Sequence, residues 1–298
     1  MKKDIRVAVV GYGNVGSYTA KAVLASPDMT LCAIVDPFRK KKKTPENVAT
    51  FTDTAALTDI DLAILCTPTR SVEACAIPLL ERGISTVDSF DIHPKIVDLR
   101  RSLHAAATAG GTTAIVSAGW DPGSDSIIRT LLEACAPKGI TYTNFGPGMS
   151  MGHTVALKKI DGVAGALSMT IPIGTGLHRR MLYVELEPGA CFDTVCAAIR
   201  VDPYFMEDEL NITQVENVEN YIDSGHGVLM ERRGVSGDTP NQTFSFSMRV
   251  NNPALTSQIM VACARAAMRQ APGAYTMIEL PVVDLLPGER EDIIHRLV

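Results

Sequence analysis

The chain has 298 residues, of which 46% are hydrophobic and 20% charged, and its formal net charge is -5. That length accommodates two domains, and the acidic balance argues against nucleic acid as the main partner, because gripping a phosphate backbone needs a basic field. No stretch reaches the roughly 18 apolar residues of a membrane span, and residues 1–4 lead into a strand without the apolar region of a secretory signal, so a cytoplasmic protein that binds no membrane is expected.

Residues 5–10 form a β-branched run that ends at Gly11-Tyr12-Gly13-Asn14-Val15-Gly16. Residues 17–24 carry apolar side chains at helical spacing, and 30–35 make a second apolar strand, closing a βαβ unit with Asp36 at its end. A G-x-G-x-x-G run is weak evidence in isolation and specific evidence between a strand and a helix. Gly11 makes the tight turn, Gly13 lets backbone N–H groups approach a pyrophosphate, Gly16 packs helix against strand, and the helix N-terminus favours the anion. Gly11, Tyr12, Gly13, Asn14 and Val15 are therefore expected to bind a dinucleotide. About twenty residues later, Asp36 is placed to hydrogen-bond the ribose 2′-OH of NAD, whereas Arg39 and the lysines at 40–43 offer charge to the 2′-phosphate of NADP. The two signals conflict, and a solvated loop is the plainer reading of the basic run.

Residues 60–66, 84–87 and 113–118 read as strands and 71–82 and 94–109 as helices, an alternation that implies a parallel sheet covered on both faces. Ligands of such sheets bind beyond the carboxyl ends of the strands. Two acid-bearing turns should open there, Asp88-Ser89-Phe90-Asp91 and Gly119-Trp120-Asp121-Pro122-Gly123. Asp91 and Asp121 would converge on one crevice and suit a cationic group such as an amino acid's ammonium. The plainer alternatives are helix caps for Asp88 or Asp91 and a simple chain reversal at Asp121.

The pattern changes past residue 124. A helix at 126–136 is followed by segments 166–173, 181–186, 227–232 and 243–250, which alternate apolar and polar side chains as half-buried antiparallel strands do, with short helices at 191–200 and 215–221. Residues 254–269 return to a helical pattern. The expected fold is α/β: a Rossmann-type doubly wound parallel sheet over 1–124, completed by 253–298, plus an α+β substrate and dimerisation domain over 125–252. Residues 146–153 read as a loop able to offer N–H groups to a carboxylate. Arg180, His226 and Asn252 are polar residues in or beside apolar strands, and each alone also fits a structural role. The seven cysteines show neither C-x-x-C pairs nor zinc-ligand spacing, so free thiols and no metal site are expected.

Taken together, Val9-Val10-Gly11-Tyr12-Gly13-Asn14, Asp88-Ser89-Phe90-Asp91, the Gly-Trp-Asp-Pro-Gly turn, the run from Gly146 to His153 and Asn252-Pro253 resemble the meso-diaminopimelate dehydrogenases over essentially the whole chain. The resemblance implies NADP-dependent, reversible oxidative deamination at the D-configured carbon of meso-2,6-diaminopimelate, giving L-2-amino-6-oxopimelate and ammonia. It implies a homodimer whose domains close around the substrate. Asp91 and Asp121 would hold the reacting amino group, with Trp120, Phe145, Met151 and Gly152 around it. Thr170, Arg180, His226 and Asn252 would hold the distal L-centre, and Cys66, Thr67, Pro68 and Thr69, with Asp88, Ser89 and Phe90, would lie along the cofactor. The chain departs from better-known members at Asp36-Pro37-Phe38-Arg39, which leaves NAD possible beside the expected NADP, and at Phe145 and Met151, where they carry tryptophan and glutamine. Two rivals are a sugar-type dehydrogenase, whose Lys-Pro motif is here Thr67-Pro68, and a non-catalytic dinucleotide sensor, against which Asp91 and Asp121 speak.

Overall fold

A computed structural model describes residues 4–37, 44–221 and 226–298. In chain order the elements are β1 (Ile5–Val10), α1 (Asn14–Leu24), β2 (Met29–Val35), β3 (Ala49–Phe51), β4 (Leu62–Leu65), α2 (Val72–Glu81), β5 (Ser85–Asp88), α3 (Ile96–Gly110), β6 (Thr113–Val116) and α4 (Ser124–Cys135). There follow β7 (Lys138–Phe145), β8 (Gly148–Met149), α5 (Met151–Leu157), β9 (Val163–Gly174), β10 (Leu177–Leu186), α6 (Phe192–Val201) and β11 (Glu209–Gln214). The chain ends with β12 (His226–Ser236), β13 (Thr239–Val250), α7 (Asn252–Ala267), β14 (Gly273–Thr276) and α8 (Arg290–Leu297). Two units result, 1–128 with 253–298 and 129–252.

The first unit is built on a seven-stranded sheet in the order β14-β6-β5-β4-β1-β2-β3, every pair parallel. Successive strand side chains point to opposite faces, so an unbroken apolar run such as Val7–Val10 of β1 needs cover on both. Val7 and Val9 pack with Ala20 and Val23 of α1 and with Met260, Val261 and Ala264 of α7. Ala8 and Val10 pack on the other face with Ala76, Leu79 and Leu80 of α2 and Leu99 and Leu103 of α3. Each fully buried Val or Leu contributes about 1.5–3 kcal/mol. The C-terminal segment thus supplies α7 to one face and adds β14 beside β6 at the sheet's edge.

The second unit holds a four-stranded sheet, β11-β10-β9-β8, and a three-stranded antiparallel one, β13-β12-β7. Leu157, Leu182, Val184, Val195, Ile199 and Phe205 form its apolar cluster, joining α5 and α6 to the first of these sheets. Several expectations need correction. Strand β11, for which no strand is expected above, joins the first sheet by pairing parallel with β10. The helix expected at 215–221 is a 3₁₀ turn at Val218–Tyr221, and the loop expected at 146–153 ends at Ser150, where α5 begins. Strands β3, β8 and β14 have only two to four residues, too few for a period to register, whereas β11 does alternate, with Leu210 and Ile212 half-buried against the apolar cluster between exposed polar residues. No described helix is long and apolar enough to cross a membrane. All seven cysteines are free thiols.

Candidate active site

The glycine loop after β1 is pressed against β4 and open at its tip. Gly11 has φ +91°, and a Cβ there would lie 2.5 Å from the Cys66 carbonyl oxygen; one on Gly16 would lie 2.0 Å from that of Gly11. A Cβ on Gly13 would meet nothing within 4 Å. Gly13 is also the N-cap of α1, so the first-turn N–H groups and the positive end of the helix dipole are presented at that open position. Behind the loop, Cys66 Sγ donates to Thr19 Oγ1 (3.4 Å), Thr19 Oγ1 to Ser257 Oγ (3.0 Å) and Ser257 Oγ to the Val15 carbonyl (2.9 Å), which ties α7 to the loop. Burial pushes the Cys66 thiol up to about 12, so it stays neutral. The Thr67 hydroxyl oxygen is buried with no partner among the described residues. An open anion-binding helix end beside an unsatisfied hydroxyl fits a dinucleotide. Asp36 stands half-buried at the end of β2, its N–H donating to the Phe51 carbonyl at 2.9 Å. Arg39 and the lysines at 40–43 lie outside the described residues.

Asp91 and Asp121 follow β5 and β6, which are neighbours in the sheet. Their loops are joined through Asp88, whose Oδ1 accepts N–H bonds from Phe90 (2.9 Å) and Ser117 (3.0 Å) while its carbonyl accepts one from Ala118 (2.7 Å). Asp88 is wholly buried and Phe90 is 6% exposed, packed in the core. Of these two residues expected along the cofactor, Asp88 thus holds backbone N–H groups with Oδ1, and the Phe90 ring packs in the core. Thr69 Oγ1 donates to Asp91 Oδ1 at 2.6 Å, so Thr69 orients an acid. Asp91 is exposed and Asp121 half-buried, whereas Trp120 is buried. The turn holding Asp121 is tight: Gly119 N–H donates to the Pro122 carbonyl at 3.0 Å, and a Cβ on Gly123 would lie 1.9 Å from the Gly119 oxygen. The Asp121-Pro122 peptide is cis.

Burial pushes the Asp88 carboxyl up to about 6, outweighing the two N–H groups, from Ser117 and Phe90, that favour the anion. An unfolded aspartate titrates near 4, so between about pH 4 and 6 the folded chain keeps a proton that the unfolded chain has lost. Stability from this group therefore falls as pH rises through that window, by about 3 kcal/mol once pH exceeds 6. Asp88→Asn keeps an acceptor for both N–H groups without the charge, and should gain stability relative to wild type between pH 5 and pH 8. Denaturation midpoints at the two pH values check this, and comparing across pH cancels the fixed cost of the new amide. An Asn-minus-Asp difference that does not change with pH would show that Asp88 does not titrate in this range.

In the second unit, β9 and β10 place Thr170 opposite Arg180, and Arg180 Nη1 donates to Thr170 Oγ1 at 2.5 Å. Arg180 Nε donates to Asp208 Oδ2 at 2.9 Å. His178, two residues before Arg180 and on the same side of the strand, accepts the Phe145 N–H at Nε2 (2.9 Å). The Phe145 ring lies 6.2 Å from His178 and 6.5 Å from His226, centre to centre. Burial, and then the positive field of Arg180, hold His153, His178 and His226 below the ordinary imidazole range. The cluster is therefore a guanidinium paired with Asp208 among imidazole rings held toward their neutral form, and the donors Arg180 keeps beyond that pair suit a carboxylate. Asn252 lies two residues beyond Val250, the pairing partner of His226. Met151 and Gly152 open α5. Among the described residues, no group of His, Cys, Asp and Glu is placed to hold a metal.

Comparison with known proteins agrees with this division. Residues 5–112 match an oxidoreductase family with an NAD-binding Rossmann fold, and residues 119–252 match the diaminopimelic acid dehydrogenase C-terminal domain. A meso-diaminopimelate D-dehydrogenase of Bacteroides fragilis is 59% identical over 298 residues, spanning 99% of this chain and 100% of the relative. The chain belongs to the diaminopimelate dehydrogenase family. C. glutamicum DAP dehydrogenase in complex with DAP superposes with a TM-score of 0.85 at 30% identity, covering all of both chains. An engineered D-amino acid dehydrogenase bound to NADP+ superposes with a TM-score of 0.79 at 29% identity, covering 99% of this chain and 100% of the other.

For this diaminopimelate dehydrogenase, reading the sequence missed Asp208, His153 and His178 as neighbours of Arg180. His178 was accessible to it, because residues two apart on a strand share a face. Asp208 carries no local signal: it precedes the exposed strand β11, and only the parallel pairing of β11 with β10 brings it to Arg180.

Proposed function

We propose that this diaminopimelate dehydrogenase catalyses the reversible, NADP-dependent oxidative deamination of meso-2,6-diaminopimelate at its D-centre, as a cytoplasmic homodimer. The observation that carries the reading is the pair Asp91 and Asp121 at the ends of adjacent strands, with their loops tied together by Asp88. In it, the two carboxylates accept hydrogen bonds from the D-centre ammonium, fix the amino group, and take up the proton that nitrogen must shed before the carbon can lose hydride. Trp120, Phe145, Met151 and Gly152 enclose that centre. Arg180, Thr170, His226 and Asn252 hold the L-centre. Gly11, Tyr12, Gly13, Asn14 and Val15 hold the pyrophosphate, and Cys66, Thr67, Pro68, Thr69 and Ser89 line the rest of the dinucleotide. A bound nicotinamide dinucleotide supplies the hydride acceptor. Loss of hydride leaves an imine, which water converts to the oxo acid and ammonia. Holding the carbon and its amine in reacting geometry supplies much of the rate.

The test is spectrophotometric. The protein should produce NADPH from meso-diaminopimelate and none from the LL-isomer, which has no D-centre. With meso-diaminopimelate, kcat/KM should favour NADP over NAD, since Arg39 and its neighbouring lysines outweigh one acid. A clear advantage for NAD would mean that Asp36 reads the ribose hydroxyl, and turnover of the LL-isomer would remove the stereochemical reading.

A further inference from the structure

Arg180 is gripped before any substrate arrives. A guanidinium offers five N–H donors in a rigid fork. Two are committed, one to Asp208 and one to Thr170, and the rest have no partner among the described residues. The Arg180 and Asp208 side chains are only 14% and 23% exposed. Asp208 is itself anchored: its N–H donates to the carbonyl of fully buried Phe205 at 3.0 Å, and Oδ2 stands 3.7 Å from His153 Nε2. His153 is fixed in turn by a 2.8 Å hydrogen bond between Nδ1 and Ser150 Oγ and by edge contacts with the Tyr204 and Phe205 rings. The adjacent pair between β10 and β11, Arg179 with Glu209, is bonded at 2.8 Å but 40% and 53% exposed. Both pairs link β10 to the start of β11 or the residue before it, yet only the inner one is backed by packed rings.

We propose that Asp208 is a positioning residue that aims Arg180, and that this aim sets the enzyme's demand for a distal carboxylate. The inference rests on the reading of Arg180 given above. A long, flexible arginine binds a carboxylate in two-pronged fashion only when the fork faces it squarely, so fixing Nε and Nη1 beforehand removes the ordering cost from substrate binding. The pair also keeps a half-buried guanidinium neutralised when no ligand is present, which holds it in place without collapse onto another acid.

The experiment compares Asp208→Asn, Asp208→Ala, Glu209→Gln and Arg180→Met with three compounds: meso-diaminopimelate, D-2-aminopimelate, which keeps the distal carboxylate but lacks the distal amine, and D-2-aminoheptanoate, which lacks both. KM and kcat are measured, or Ki for any compound not turned over. Asp208→Ala should raise KM for both dicarboxylates about tenfold while changing kcat little, because the lost interaction acts on ground-state binding and transition state alike. D-2-aminoheptanoate should be unaffected. Asp208→Asn, whose amide oxygen still accepts from Nε, should restore part of the loss, and Glu209→Gln should match wild type. An unchanged KM, or an equal loss across all three compounds, overturns the proposal. A loss confined to meso-diaminopimelate also overturns it, by making Asp208 a direct partner of the distal amine. If Arg180→Met itself leaves the preference for dicarboxylates intact, the reading of Arg180 fails; if it abolishes that preference and the Asp208 variants do not, only the present inference fails. Should Asp208→Ala misfold, the near-isosteric Asp208→Asn with Glu209→Gln as its control still decides between these outcomes.

Discussion

Replacing Asp121 or Asp91 by alanine should lower kcat/KM for meso-diaminopimelate by at least about tenfold and leave cofactor affinity nearly unchanged. A hydrogen bond to a charged group is worth about 1.5–3 kcal/mol, and each 1.4 kcal/mol is a tenfold change in rate. The two acids sit beyond the ends of β5 and β6, whereas the open tip of the glycine loop belongs to β1 and α1. Loss of either carboxylate should therefore spare dinucleotide binding. Asp91 is held by Thr69, which donates to it at 2.6 Å. Steady-state kinetics together with a titration of NADPH fluorescence check both halves of the expectation. Wild-type turnover in either well-folded variant would remove that residue from the site.

Arg180→Met should cost diaminopimelate far more than D-alanine or D-leucine, and raise the relative activity on bulky apolar D-amino acids. Diaminopimelate carries a distant carboxylate that the smaller acids lack, and a site built to pair polar groups penalises a ligand that leaves them unpaired. The three histidines near Arg180 are held toward their neutral form, so no neighbouring ring replaces its charge. The substitution also leaves Asp208 without its cation, and a thermal melt must confirm the fold before the kinetics are interpreted. The decisive quantity is the ratio of kcat/KM for the two kinds of substrate in variant and wild type. An unchanged ratio would mean that Arg180 does not hold the distal carboxylate.

Much of the first unit was legible because its signals are local. β1 ends in the apolar run Val7–Val10, followed at once by the glycine loop, and both acids lie within five residues of a strand end, so periodicity and spacing were enough to place them. The return of the chain at 253–298 was visible as a change of pattern, from alternating strands to one long helix. Short pieces were lost. β14 and β3 owe their strand character to the neighbours they pair with, and their own three or four residues carry too little pattern to declare it. The second unit was read less well: β7 mixes exposed and half-buried residues with no clean alternation, and β11 alternates over only six residues, two of them apolar.

Residues close together in the chain were enough to specify a dinucleotide-binding βαβ unit, two acids at strand ends and a change of architecture past residue 124. Tertiary structure alone decided which of the acids face solvent. Asp88 and Asp91 stand three residues apart in one motif, yet the first is withdrawn into the protein to hold two backbone N–H groups and the second is exposed. Tertiary structure also paired Arg180 with Asp208 across 28 residues. Burial and charge pairing are set by what the rest of the chain packs nearby, and no spacing along a strand or helix encodes that.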